Sequence, residues 1–177
     1  MARTPLLDQL RKGDRRSIGR ANVIVREVLK SPSRLPELLA GLWHPDPLIR
    51  MRAGDALEKV SRQEPGWLWP VRGELLELAQ TTREQEARWH LAQTLPRLGL
   101  RGTQRHALVA LLRRYRRDRS AIVRVSALEG LVELAAGDSA LRRSVHRQLR
   151  RALEQGSTAE RARARKLLAA VSGRRDP

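Results

Sequence analysis

The sequence predicts an all-α protein made of short helix pairs in series, and three observations carry that prediction. Leu, Ala, Arg and Glu dominate the composition, and β-branched residues never alternate with polar ones over the length of a strand. Turn-forming clusters at Gly13-Asp14, Pro45-Asp46-Pro47, Pro65-Gly66, Gly99 to Gly102, Gly137-Asp138 and Gly156-Ser157 cut the chain into helix-sized pieces. Between the cuts, apolar residues recur at helical spacing and at a constant longer period.

Taken in order, residues 3–31 read as an N-terminal helical cap. A helix from Asp14 to about Leu29 buries Ile18, Ala21, Val25, Val28 and Leu29 there. Four helix pairs follow over 33–63, 66–98, 102–135 and 138–172, then a frayed tail over 173–177, all within one domain spanning 1–177. Asp46 is suited to cap the first free amides of a helix whose first residue is Pro47, where the missing donor costs nothing. Ser157 with Glu160 has the spacing of a capping box. Asp14 and Asp138 each follow a glycine that can end one helix while the aspartate opens the next.

The repeat is visible residue by residue. With Arg50, Arg88, Arg124 and Arg161 in one column, the spacings are 38, 36 and 37 residues. Three positions later stand Ala53, Leu91, Ala127 and Ala164, seven later Leu57, Leu95, Leu131 and Leu168, and ten later Val60, Leu98, Leu134 and Val171. One position earlier stand Ile49, Ala87, Val123 and, as the exception, Glu160. These offsets share one helical face, so each second helix presents the same apolar stripe. The first helices keep the period through Leu38, Leu75, Leu111 and Leu149.

The segment from Asp46 to Val60, with Asp46, Ile49-Arg50, Ala53 and Ala56-Leu57, resembles the second helix of the HEAT repeat, and Ser120 to Leu134 does so nearly as well. The resemblance covers about residues 33 to 172. It implies a right-handed α-solenoid of about four HEAT-like repeats plus the cap, as in small bacterial-type HEAT proteins. It says little about activity, because such solenoids serve as scaffolds, adaptors, regulators and, in one more distant bacterial branch, alkylpurine DNA glycosylases. In the family the column arginine pairs with the residue at the preceding helix start. This implies a structural ladder of Asp46 with Arg50, Glu84 with Arg88, Ser120 with Arg124 and Ser157 with Arg161.

Several kinds of chemistry are excluded or left without support. The chain has no cysteine, so neither a disulfide framework nor a thiolate site contributes. The four histidines show no metal-ligand spacing, and neither a Gly-rich phosphate loop nor a nucleophile elbow is present. No catalytic residue, cofactor or metal is therefore expected. Without a signal segment or an apolar run of about 18 residues, the expectation is a cytoplasmic monomer with no membrane span.

A formal net charge of +17 asks for a partner. The charge sits at the two ends: residues 1–34 hold nine basic and three acidic side chains, 35–100 hold eight and nine, and 101–177 hold nineteen and seven. Arg15, Arg16 and Arg20 form one basic group. Arg113 and Arg117 end one first helix, and Arg143, Arg147, Arg150 and Arg151 line another opposite its apolar face. All are candidate anion-binding residues, against the plainer reading of a solvated surface in an arginine-preferring composition of 32 Arg to 4 Lys.

Offsets of two, five and nine from the column arginine point away from the stripe and define a mixed-sign inner face. It comprises Arg52, Asp55, Lys59, His90, Gln93, Arg97, Glu129, Arg163 and Lys166. Trp43, Trp67, Trp69 and Trp89 are expected in packing between repeats; a glycosylase reading would instead pair Trp89 with Glu86 or Trp43 with Asp46. Two function classes follow: a scaffold that binds a protein through the inner face, and a sequence-nonspecific nucleic-acid binder that uses the arginine clusters.

Overall fold

A computed structural model describes residues 5–11 and 20–172. These residues form ten α-helices and four short 3-10 turns, with no strand among them. No helix among them is long and apolar enough to cross a membrane. The chain divides into two compact units, residues 1–71 and 72–177.

The first unit contains α1 (Leu6–Arg11), α2 (Ala21–Lys30), α3 (Leu35–Ala40) and α4 (Pro47–Gln63). The other three pack on α4, which is why α4 buries side chains around most of its circumference. Asp46 caps it as expected, its Oδ1 accepting from the Leu48 amide at 2.9 Å with Pro47 at the first helical position. It stops at Gln63 because Pro65 disfavours the helical conformation at Glu64, and a 3-10 turn follows over Pro65–Leu68. The core gathers Leu6, Leu10, Ala21, Ile24, Val28 and Leu38 around Ile49, Ala53, Leu57 and Val60. Within the described residues α2 begins at Ala21, and its buried face is Ala21, Ile24, Val25 and Val28, with Leu29 only half-buried. The expected face was thus rotated by one position at its C-terminal end; Asp14 and Ile18 lie outside the described residues.

The second unit runs α5 (Arg72–Thr81), α6 (Gln85–Thr94), α7 (Gly102–Tyr115), α8 (Ala121–Leu134), α9 (Ser139–Gln155) and α10 (Thr158–Ser172). Helices pair as α5 with α6, α7 with α8 and α9 with α10, while α6, α8 and α10 also pack in succession. The apolar stripe lies where the period puts it. Leu91, Ala127 and Ala164 are buried, as are Leu95, Leu131, Leu98 and Val123, while Ala87, Leu134 and Leu168 are half-buried. Leu75, Leu111 and Leu149 of the first helices are buried against it. Gly137, at φ 76°, takes the left-handed conformation that closes α8's terminal turn, and Asp138 Oδ1 then accepts from the Leu141 amide at 2.9 Å.

Candidate functional site

The column arginines are the first polar feature to recur. Arg50 donates to the His44 and Pro45 carbonyls at 2.6 and 2.7 Å, and Arg124 to those of Asp118 and Arg119 at 2.9 and 3.0 Å. Arg88 donates to the Arg83 carbonyl, and Arg161 to that of Gly156 at 2.6 Å. Each arginine therefore folds back over the turn before its own helix. Arg88 then reaches the Asp118 carboxylate, and Arg124 reaches Glu160 at 2.8 Å, in each case a residue of the following helix pair.

The expected ladder is corrected in its acceptors: Ser120 and Ser157 do not receive Arg124 and Arg161. Helical side chains lean towards the N-terminus, so a guanidinium four residues past the cap overshoots the cap residue into the turn. Asp46 instead caps its helix, and Ser157 Oγ bonds the Glu160 carboxylate at 2.9 Å and accepts from the Glu160 amide at 3.4 Å. The amides of Asp46, Glu84 and Ser120 are satisfied from two positions upstream, by His44 Nδ1, Thr82 Oγ1 and Asp118 Oδ1 at 2.9, 3.2 and 2.8 Å.

Glu160, the one charged member of the stripe, is buried and accepts from both Arg116 at 3.1 Å and Arg124. Burial pushes its carboxyl up, but bonds from Arg124, from the Ser157 amide and hydroxyl and from Arg116 outweigh that and hold it at about 2. The same bond raises Arg124.

The inner-face reading is corrected at its first column. Arg52 and His90 are 0% and 4% exposed, whereas Arg163 of the same column is exposed. Arg52 donates to the Leu10 carbonyl at 2.6 Å, so it tethers α1 from within the first unit. The other positions bond largely to one another. Lys59 pairs with Asp55 at 2.7 Å and with Asn22 at the same distance. Glu129 accepts from Gln93 at 3.0 Å and from Arg163 at 2.5 Å, and Arg97 lies 4.0 Å from Glu133. Lys166 is exposed. The mixed sign of this face is thus internal neutralisation along neighbouring second helices.

The arginines of the first helices behave differently. Arg143, Arg147 and Arg150 stand one turn apart along the exposed side of α9 and bond to no described residue, while Arg151 bonds Gln155 at 3.1 Å. Only Glu154 carries a negative charge on that helix. At the end of α7, Arg113 and Arg117 are also exposed and without a described partner. Arg20 is exposed before α2; Arg15 and Arg16 lie outside the described residues.

Two of the four tryptophans are corrected as well. Trp43 and Trp69 are 50% and 53% exposed, Trp43 as the last residue of a short 3-10 turn and Trp69 just after another, and Trp67 is half-buried. Trp89 is half-buried and tilted against His90 at 4.3 Å. Asp46, one candidate glycosylase carboxylate, is taken up as the α4 cap. Among the described residues no three His, Asp or Glu side chains gather as a metal site requires. The chain matches no family model, no curated protein and no solved structure.

Proposed function

We propose that residues 72–177 are a HEAT-like α-solenoid segment, non-catalytic, that binds the phosphate backbone of nucleic acid through the arginine face of α9. One observation carries the reading: Arg143, Arg147 and Arg150 present three guanidinium groups in a row with no described partner, whereas the second-helix charges are largely spent on one another. The repeating support for a solenoid is the column arginine, which closes the preceding turn in all four positions and in two of them ties one pair to the next.

The chemistry of the face selects among anionic partners. Guanidinium forks match phosphate oxygens two at a time. A bilayer or a protein interface also calls for an apolar anchor beside the charge. The exposed large apolar side chains of the described residues are Trp43, Trp69 and Ile122, none of them on α9. Contacts to phosphate alone specify no sequence, so affinity should be similar across sequences.

Fluorescence anisotropy with labelled duplex DNA and single-stranded RNA at about 50 mM salt tests the reading. The unaltered chain should bind, and the triple variant R143A/R147A/R150A should bind at least tenfold more weakly, about 1.4 kcal/mol, while its helicity is unchanged. Absence of binding by the unaltered chain, or an undiminished affinity in the variant, would reject it.

A further inference from the structure

A second, separate arrangement lies where the C-terminal ends of α5 and α7 meet the turns that follow them. An open cleft of about 710 Å³ is lined there by Gln80 to Arg83, Arg88, Ala110, Arg113 to Tyr115, Arg117 and Asp118. Five arginines face one carboxylate, an excess that the ends of two helices do not explain.

Helix C-termini carry partial negative charge, and cations beside them are ordinarily accounted for by that alone. Here several of the carbonyls already have donors. Arg114 donates to Gln80 at 3.0 Å, the Tyr115 hydroxyl to Ala79, and Arg88 to Arg83, while Arg88 also neutralises Asp118. Tyr115 is 3% exposed, and burial raises its phenol well above the usual range, so it stays a neutral donor fixed to the backbone. The guanidinium groups of Arg83, Arg113 and Arg117 remain, on exposed residues, none of them bonded to a described residue, and set around one concavity by three different segments. Three like charges held around a hollow repel one another, and an anion placed between them removes that cost.

We propose that this cleft binds a compact oligophosphate, an anion with several linked phosphoryl groups. The volume exceeds what a single tetrahedral anion fills, and three separate guanidinium groups suit several phosphoryl groups better than one. The lining offers no exposed aromatic face on which a base could stack, because its one aromatic ring is buried. The ligand is therefore recognised by its phosphate chain. This site is distinct from the α9 face and does not depend on it.

Isothermal titration of the full chain with inorganic tripolyphosphate at about 150 mM salt tests the proposal, with sulfate as the single-anion comparison. One saturable site for tripolyphosphate is expected, with sulfate at least tenfold weaker. Arg83→Ala, Arg113→Ala and Arg117→Ala should each weaken binding by about tenfold, as loss of one charge-assisted contact does, and the triple variant should abolish it. R143A/R147A/R150A should leave it unchanged. Because the three cleft guanidinium groups bond to no described residue and alanine keeps the backbone bonds, the variants should keep the parent's Tm, which separates lost binding from lost fold. The proposal is overturned by the absence of saturable binding, by sulfate binding as tightly as tripolyphosphate, or by equal losses in the cleft and α9 variants, which would mark diffuse charge attraction. Loss of DNA binding alone in the α9 variant, with tripolyphosphate retained, counts for this site and leaves the two readings separately scored.

Discussion

Glu160 stands where the aligned positions of α4, α6 and α8 hold Ile49, Ala87 and Val123, and it is held there by two arginines and a helix cap. Its folded carboxyl, at about 2, holds its proton less tightly than the ordinary value of 4.5 in the unfolded chain. The stability this contributes is full above about pH 4.5 and is lost as pH falls towards 2, on the order of 3 kcal/mol in all. Asp138, lowered by the Leu141 amide and by Arg105, acts in the same direction. Glu160→Gln should cost about 2–4 kcal/mol at neutral pH, because Arg116 and Arg124 keep their charges with no carboxylate between them. Urea unfolding followed at about pH 7, 5 and 3 should show the variant's stability falling less steeply than the parent's between the last two; parallel losses would count against this account. The exception in the stripe is legible in the sequence, but the residues that donate to it are not. Arg116 and Arg124 lie 44 and 36 positions away, and no local pattern links them. Arg52 and His90 were misplaced for a related reason. Their offset lies roughly 95° round the helix from the centre of the stripe, a solvent flank on a helix buried along one side. The second helices are packed on more than one side, so that flank is interior.

Between elements, Gly130 sets how closely α8 approaches α6. A Cβ added there would meet the Ala92 carbonyl oxygen at 2.6 Å and Pro96 Cγ at 2.9 Å, and the first of these is backbone that cannot swing aside. Alanine should raise the intrinsic helix preference of α8 by about 1 kcal/mol, but the overlap sets a cost of about 1–3 kcal/mol against it. Because the clash is with main chain, we expect the cost to win: Gly130→Ala should lower the urea midpoint without changing the slope of the transition. An equal or higher midpoint would show that α6 and α8 separate cheaply. Helix boundaries were legible at this scale wherever the cap is local. Asp46, Asp138 and the Ser157–Glu160 box could be read because both partners lie within three residues. The starts of α6 and α8 are fixed instead from within the turn, where Thr82 and Asp118 bond the Glu84 and Ser120 amides.

Across the whole molecule the charge is unevenly held: residues 72–177 carry twenty-three basic and eleven acidic side chains, and residues 1–71 carry thirteen and eight. Net charge alone attracts any polyanion, so the useful question is how many arginines touch phosphate at once. Salt dependence counts them. Each phosphate neutralised on a duplex contributes about −0.9 to the slope of log K against log salt. An interface made by Arg143, Arg147 and Arg150 alone should give a slope near −2.7, a loss of roughly forty-fold between about 50 and 200 mM salt. Recruitment of Arg113 and Arg117 to the same strand would steepen it to about −4.5, a loss of roughly five-hundred-fold. The smaller value is the expected one, since the α7 arginines surround a concavity of their own and the α9 arginines lie along one exposed helix side. Anisotropy titrations at four salt concentrations measure the slope directly. A value near −4.5 that returns to −2.7 on R113A/R117A would join the two clusters into one nucleic-acid surface. A slope near zero would mean that phosphate is not what this protein holds.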